Sequence, residues 1–198
     1  MTNGIAVLAK MIVLCLCFSM LVCSKVTHQK HLRSEKSIDY YLNMEANSTT
    51  ERAVRDTFHL WEQATHFKFN YKGRHRAGLK KDGKNTVSFL LKWPSDIPMK
   101  NVAYCRSWYS SSGEIIESDI IFNMSVTRFT TLNENWNNSY YIEGVLSHEI
   151  GHMIGISHID MESSVMKNKS SAQESYFKGN IDAQTLIAYK TLYRETTE

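Results

Sequence analysis

Apolar and polar positions change their period several times along the chain. Ile38 to Leu42 (Ile-Asp-Tyr-Tyr-Leu) is β-branched and aromatic, which predicts a first strand. Ser48-Thr49-Thr50-Glu51 has the form of a capping box, and Val54, Phe58 and Trp61 follow at helical spacing. A long helix is therefore expected at about 49–64. Phe67 to Tyr71 alternates and predicts a second strand; Thr86 to Leu91 predicts a third, with Asp82-Gly83 as a turn between them. Ala103 to Tyr109 and Ile115 to Phe122 read as a strand pair around the Ser110–Gly113 turn. A second long helix is expected from near Tyr140, and a third from about Asp182 to Tyr193. No internal repeat interrupts the series. Strands concentrated in the first two thirds and mixed with helices predict an α+β fold, a sheet flanked by helices.

The first residues follow another pattern. Met11 to Val22 is an apolar run of 12 residues, preceded by Lys10 and followed by Ser24-Lys25. A bilayer span takes about 20 residues, so the run suits a secretory signal, with Val22 and Ser24 before the cut. Cys23 as the lipidated residue of a lipoprotein is a second reading of residues 1–24, and an uncleaved anchor or buried helix a third. The first two imply export, to the exterior or to the cell envelope. Residues 25–37 are polar and basic, and read as a short tether or pro-segment before a domain at 38–198.

Composition narrows the classes. A chain of 198 residues suits one domain, and 42% hydrophobic with 22% charged residues supplies a core. The net charge of +3 is small and scattered, which argues against a nucleic-acid partner. Of the four cysteines only Cys105 lies beyond residue 23, so the body closes no disulfide of its own.

Residues 148–158 read His-Glu-Ile-Gly-His-Met-Ile-Gly-Ile-Ser-His. His148 and His152 stand i and i+4 on a helix, so both imidazoles leave one face and can share an ion. Glu149 points along the same cleft. Gly155 is expected to end the helix in a left-handed conformation, letting His158 return as a third nitrogen. Three imidazoles leave the fourth tetrahedral position of a zinc open, as a catalytic site requires. Chance alone produces the shorter HExxH in roughly 2% of chains this long, and the full pattern in below about 1 in 10,000.

These residues resemble the metzincins, the zincins with HExxHxxGxxH followed by a methionine turn. Ser164-Val165-Met166 supplies that turn, with Met166 eight residues after His158, the interval common in matrixins. The helix with Trp61, the Phe67-Lys68-Phe69 segment, Glu114 to Asn123, and Trp136 with Tyr140-Tyr141 are similar to matrixin elements. The resemblance implies a single catalytic domain with a twisted mixed five-stranded sheet and three helices. It implies a zinc metalloendopeptidase acting as a monomer on extended protein or peptide substrates. His148, His152 and His158 would hold one zinc, Glu149 would be the general base, and Met166 a hydrophobic floor. Ala103–Trp108 would be the edge strand bordering the cleft. The rival reading is a non-catalytic zinc-containing binding or adhesion module of the same fold.

The chain departs from the matrixin pattern in several places. No cysteine-switch prodomain precedes the first strand, and no His between His75 and His148 supplies a second, structural zinc. No calcium loop is recognisable, although Asp119 keeps a weak claim on Ca2+. Lys167-Asn168-Lys169-Ser170 replaces the Pro-x-Tyr wall of the specificity pocket, and Gln184-Thr185 the acids that open the last helix. His59, His66 and His75 have no ligand spacing and are expected on the surface or in packing. His28, His31 and Glu35 suit a solvated linker better than a cap on the zinc. Cys105 reads as a small buried hydrophobe. Asn47, Asn123, Asn137 and Asn168 each open a glycosylation pattern.

Overall fold

A computed structural model of the chain describes residues 32–43, 46–76, 78–132, 134, 138–168, 171–177 and 180–193 (176 and 177 by backbone alone). The leader with Cys23, the segment holding His28 and His31, and Trp136-Asn137 lie outside the described residues. The strands are β1 (Ser37–Leu42), β2 (Lys68–Arg74), β3 (Asn85–Leu90), β4 (Ala103–Tyr109), β5 (Ile115–Asn123), β6 (Phe129–Thr130) and β7 (Tyr140–Tyr141). The helices are α1 (Ser48–Ala64), α2 (Ile142–Met153), α3 (Ala172–Phe177) and α4 (Ala183–Tyr193).

Five strands form one sheet in the order β2-β1-β3-β5-β4. β1 runs parallel to β2 and β3, and β3 parallel to β5; only β4 is antiparallel, because a tight hairpin joins it to β5. In that hairpin Gly113 takes φ +84°, a conformation other residues resist, and Ser110 N–H bonds to Glu114 O at 2.9 Å. The fold is the expected α+β architecture, with β4 at one edge. Two details differ. Residues 129–130 and 140–141 pair as a second, two-stranded sheet, which moves the start of α2 from Tyr140 to Ile142. A fourth helix, α3, is too short for its periodicity to show in the sequence.

The apolar stripe of α1 explains where the core sits. Val54, Phe58 and Trp61 are buried as their spacing predicts, and Tyr40 of β1 stacks on Phe58 at 3.9 Å. Trp61 reaches α2, donating its indole N–H to Ser147 Oγ at 3.1 Å. The cap of α1 lies one residue earlier than the capping box implies. Asn47 accepts from Thr50 N–H at 2.8 Å, while Glu51 reaches across to Arg74 at 2.6 Å. At the other end Tyr193 of α4 meets Phe67 edge-on at 5.2 Å, and Tyr189 also packs against it.

Among the described residues, packing extends ahead of β1 as far as Leu32. Leu32 O accepts from Ile115 N–H at 2.8 Å and Lys36 O from Lys68 N–H at 2.7 Å. Arg33, read as part of a solvated tether, is only 8% exposed. A guanidinium can enter a core when acceptors surround it, and polarity along the chain does not reveal where such acceptors will be. No helix of the described residues is long and apolar enough to cross a membrane.

Candidate metal centre

α2 brings His148 and His152 onto one face, and its termination brings in the third histidine. Gly155 adopts φ +87°, its N–H bonds to His152 O at 2.9 Å, and Ile156 N–H bonds back to Gly151 O at 2.8 Å. This pair of bonds is a Schellman closure, the reversal expected of a glycine just beyond a helix. The returning chain places His158 Nε2 3.1 Å from His152 Nε2, and His148 Nε2 lies 3.0 Å from His152 Nε2 on the other side.

The hydrogen bonds on the far side of the rings define what can sit between them. His148 Nδ1 lies 2.7 Å from Val165 O, and His152 Nδ1 lies 2.8 Å from Ile156 O. A carbonyl only accepts, so each Nδ1 carries the proton and each Nε2 presents a lone pair to the other. Burial first, and His148 second, lower the pKa of His152 to about 3, so protonation does not relieve that opposition. A cation does. Zn–N bonds of 2.0–2.1 Å in a tetrahedron separate nitrogens by about 3.3–3.4 Å, close to the spacing found. The donor set therefore fits zinc. Among the described residues these three form the sole group of three or more His, Cys, Asp or Glu with converging ligand atoms.

Glu149 is next in sequence and faces the same cleft. It is 7% exposed, accepts from the Cys105 N–H of β4, and burial pushes its carboxyl up to about 8. β4 forms the opposite wall, with Tyr104, Cys105 and Ser107 lining the cleft. The Cys105 thiol is raised well above its ordinary range by desolvation, with Glu149 nearby adding to the shift. It is half-buried, less so than its reading as a small buried hydrophobe implies. Met166 is fully buried, with its side chain against Gly151 of α2. A Cβ on Gly151 would stand 2.3 Å from Met166 Sδ, so the sulfur takes the place of a side chain there.

All four residues expected at the site are thus brought together. Other contributors carry no local signal. The Val165 carbonyl orients His148, and Asp182 Oδ2 in turn accepts from Val165 N–H at 2.8 Å while Oδ1 caps α4. Arg33 and Tyr193 bond to the last carbonyls of α2. The sites expected elsewhere stay elsewhere. His59 is exposed beside Glu62 and His66 is exposed, while His75 bonds to Asp82 at 3.1 Å.

The matrixin family model matches residues 31–194. The chain is a matrixin. It thereby belongs to a family of zinc metalloproteases. No curated protein matches the chain. This matrixin differs from the expected pattern where a specificity wall would follow Met166. There Lys167 extends its ammonium to Glu162 and Glu174, and α3 packs so closely on α2 that a Cβ on Gly144 would stand 1.8 Å from Ser175 O. Asp119, the weak calcium candidate, has both oxygens on backbone amides, those of Lys80 and Thr86, each at 2.9 Å. Glu117 holds Asp82 N–H and Gly83 N–H in the same way. Asn123, which opens one of the glycosylation patterns, is itself buried, its amide donating to Met99 O and Asn101 O at 3.0 Å each.

Proposed function

We propose that this matrixin is a zinc-dependent endopeptidase that hydrolyses peptide bonds in extended protein substrates, outside the cell or at its surface. The observation that carries the reading is the convergence of three imidazole lone pairs beside a buried carboxyl, in a cleft walled by a sheet edge. Zinc held by His148, His152 and His158 would polarise the scissile carbonyl and make a water acidic enough to ionise near neutral pH. Glu149 takes the water proton and later delivers it to the leaving amine. A carboxyl raised toward neutrality is matched to both transfers, and a neighbouring cation favours its ionised form.

The outer edge of β4 supports the choice of substrate. Its inner edge pairs with β5, and it ends the strand order of the sheet. An extended peptide adding along it gains backbone hydrogen bonds while its carbonyl passes between Glu149 and the histidines. Fold details around Lys167 and α3 replace the usual wall, so side-chain preference is this chain's own. Export rests on the sequence of the leader, through a cleaved signal or through Cys23.

Glu149→Gln tests the role directly. It keeps size and hydrogen bonding and removes the base, so casein cleavage is expected to fall about 100- to 10,000-fold with zinc still bound. Cleavage at the wild-type rate would refute the assignment. A wild-type protein that binds zinc and cleaves nothing would favour a binding module.

A further inference from the structure

The end of α2 leaves two carbonyls that its Schellman closure does not reach. Ile154 N–H bonds to Ile150 O, Gly155 N–H to His152 O and Ile156 N–H to Gly151 O, leaving Met153 O and Ile154 O. Both are met by side chains from opposite ends of the chain. Arg33 Nε donates to Met153 O at 2.9 Å, and the Tyr193 hydroxyl donates to Ile154 O at 2.8 Å. The two are themselves joined, since Arg33 N–H donates to the Tyr193 oxygen at 3.3 Å. Arg33 Nη2 donates to Asn85 Oδ1 at 2.8 Å and to Ser118 Oγ at 3.0 Å. The helix end is thereby tied to β3 and β5 through one residue.

Arg33 draws its stabilisation from this arrangement. Its hydrogen-bond acceptors are a helix-terminal carbonyl, an amide and a hydroxyl, and its charge stands at the negative end of the α2 dipole. Burial lowers its pKa to about 10, which leaves it charged at neutral pH. The turn it holds bears directly on the histidines. Ile156 O orients His152 through Nδ1, and His158 follows two residues later.

We propose that Arg33, together with Tyr193, is the positioning residue of the metal-binding turn. By fixing Met153 and Ile154 it sets where Ile156 and His158 fall, and zinc binding depends on the docking of a residue near the start of the body. The inference rests on His148, His152 and His158 being the zinc ligands. Groups that orient metal ligands typically change affinity by about 10- to 100-fold when removed.

The experiment compares Arg33→Met, Arg33→Lys and Tyr193→Phe with the wild-type full chain. Zinc affinity is measured by competition with a chromogenic chelator, and ligand geometry by the visible spectrum of the Co2+-loaded protein. Arg33→Met fills the volume without donors and is expected to bind zinc about 10- to 100-fold more weakly, with shifted cobalt bands. Arg33→Lys restores one donor and should recover part of both. Tyr193→Phe removes a single hydrogen bond, for a loss of about 2- to 10-fold. A residue that only stabilises the fold would lower the melting temperature and leave the cobalt spectrum unchanged. Folded variants within twofold of wild type, with its spectrum, would therefore overturn the proposal. Should Arg33→Met not fold, Tyr193→Phe decides by the same criteria. Wild-type protein that binds no zinc would instead overturn the metal-centre reading, and this inference with it.

Discussion

Glu149 is a carboxyl held out of water with one backbone N–H for company, and that environment has consequences for stability as well as catalysis. Burial pushes its pKa up to about 8, against an ordinary value of 4.5. Between those values the folded state keeps a proton that the unfolded state has lost, so stability falls as pH rises. Asp119, raised by burial to about 7, acts in the same direction at lower pH, while His152, lowered to about 3, acts oppositely below 6.5. From about pH 7 to 8 Glu149 dominates the three. Denaturant unfolding of metal-free protein should show stability declining over that interval, by at most about 1.4 kcal/mol per pH unit. Glu149→Gln should flatten the slope; an unchanged slope would place the titration elsewhere. At this scale the sequence was most informative for the motif. His148, Glu149, His152 and His158 were legible because helical geometry and one glycine connect them locally. Arg33, Val165 and Asp182 were not, because each acts on a residue 15 or more positions away through hydrogen bonds that spacing does not encode.

The elements were legible in proportion to their length and periodicity. α1 and β4 appear where their patterns place them, whereas α3 and the β6–β7 pair are stabilised by neighbours rather than by their own sequence. α3 depends on Gly144, whose missing side chain admits the Ser175 backbone, and on Ser175 Oγ accepting from Tyr141 N–H at 2.9 Å. The cap of α1 slipped to Asn47 because its side chain meets the Thr50 amide, a choice among adjacent polar residues that tertiary context makes. The start of α4 carries a heavier role than a cap. Asp182 accepts from Gln184 N–H and Thr185 N–H, and also from Val165 N–H in the methionine turn. Asp182→Ala should therefore cost about 1–2 kcal/mol, a fall in melting temperature of about 2–8 °C for a chain of this size. Because Val165 O orients His148, zinc affinity should fall as well. A variant with wild-type melting temperature and affinity would show that the methionine turn holds itself.

For the molecule as a whole, the fold class and sheet composition followed from patterning, and the packing of the residues just ahead of β1 did not. Residues 33–36 are polar in sequence, yet the stretch from Leu32 to Lys36 bonds to Ile115, Asn85 and Lys68 at the starts of β5, β3 and β2, burying one arginine on the way. The same stretch joins α2 and α4 around one turn, and the positioning role proposed for Arg33 would couple folding to metal binding. Zinc binding to the folded state alone stabilises it by mass action, by about 2.7 kcal/mol at a hundredfold excess over Kd.

The central claim is that one zinc on three histidines, with Glu149, cleaves peptide bonds. Titration of metal-free wild-type protein with zinc, read out on a library of extended peptides, tests it most directly. Cleavage should be absent in chelator and rise to a plateau at one zinc per chain, with no comparable rise for Glu149→Gln. Cleavage that persists without zinc, or a saturated protein that leaves every peptide intact, would contradict it.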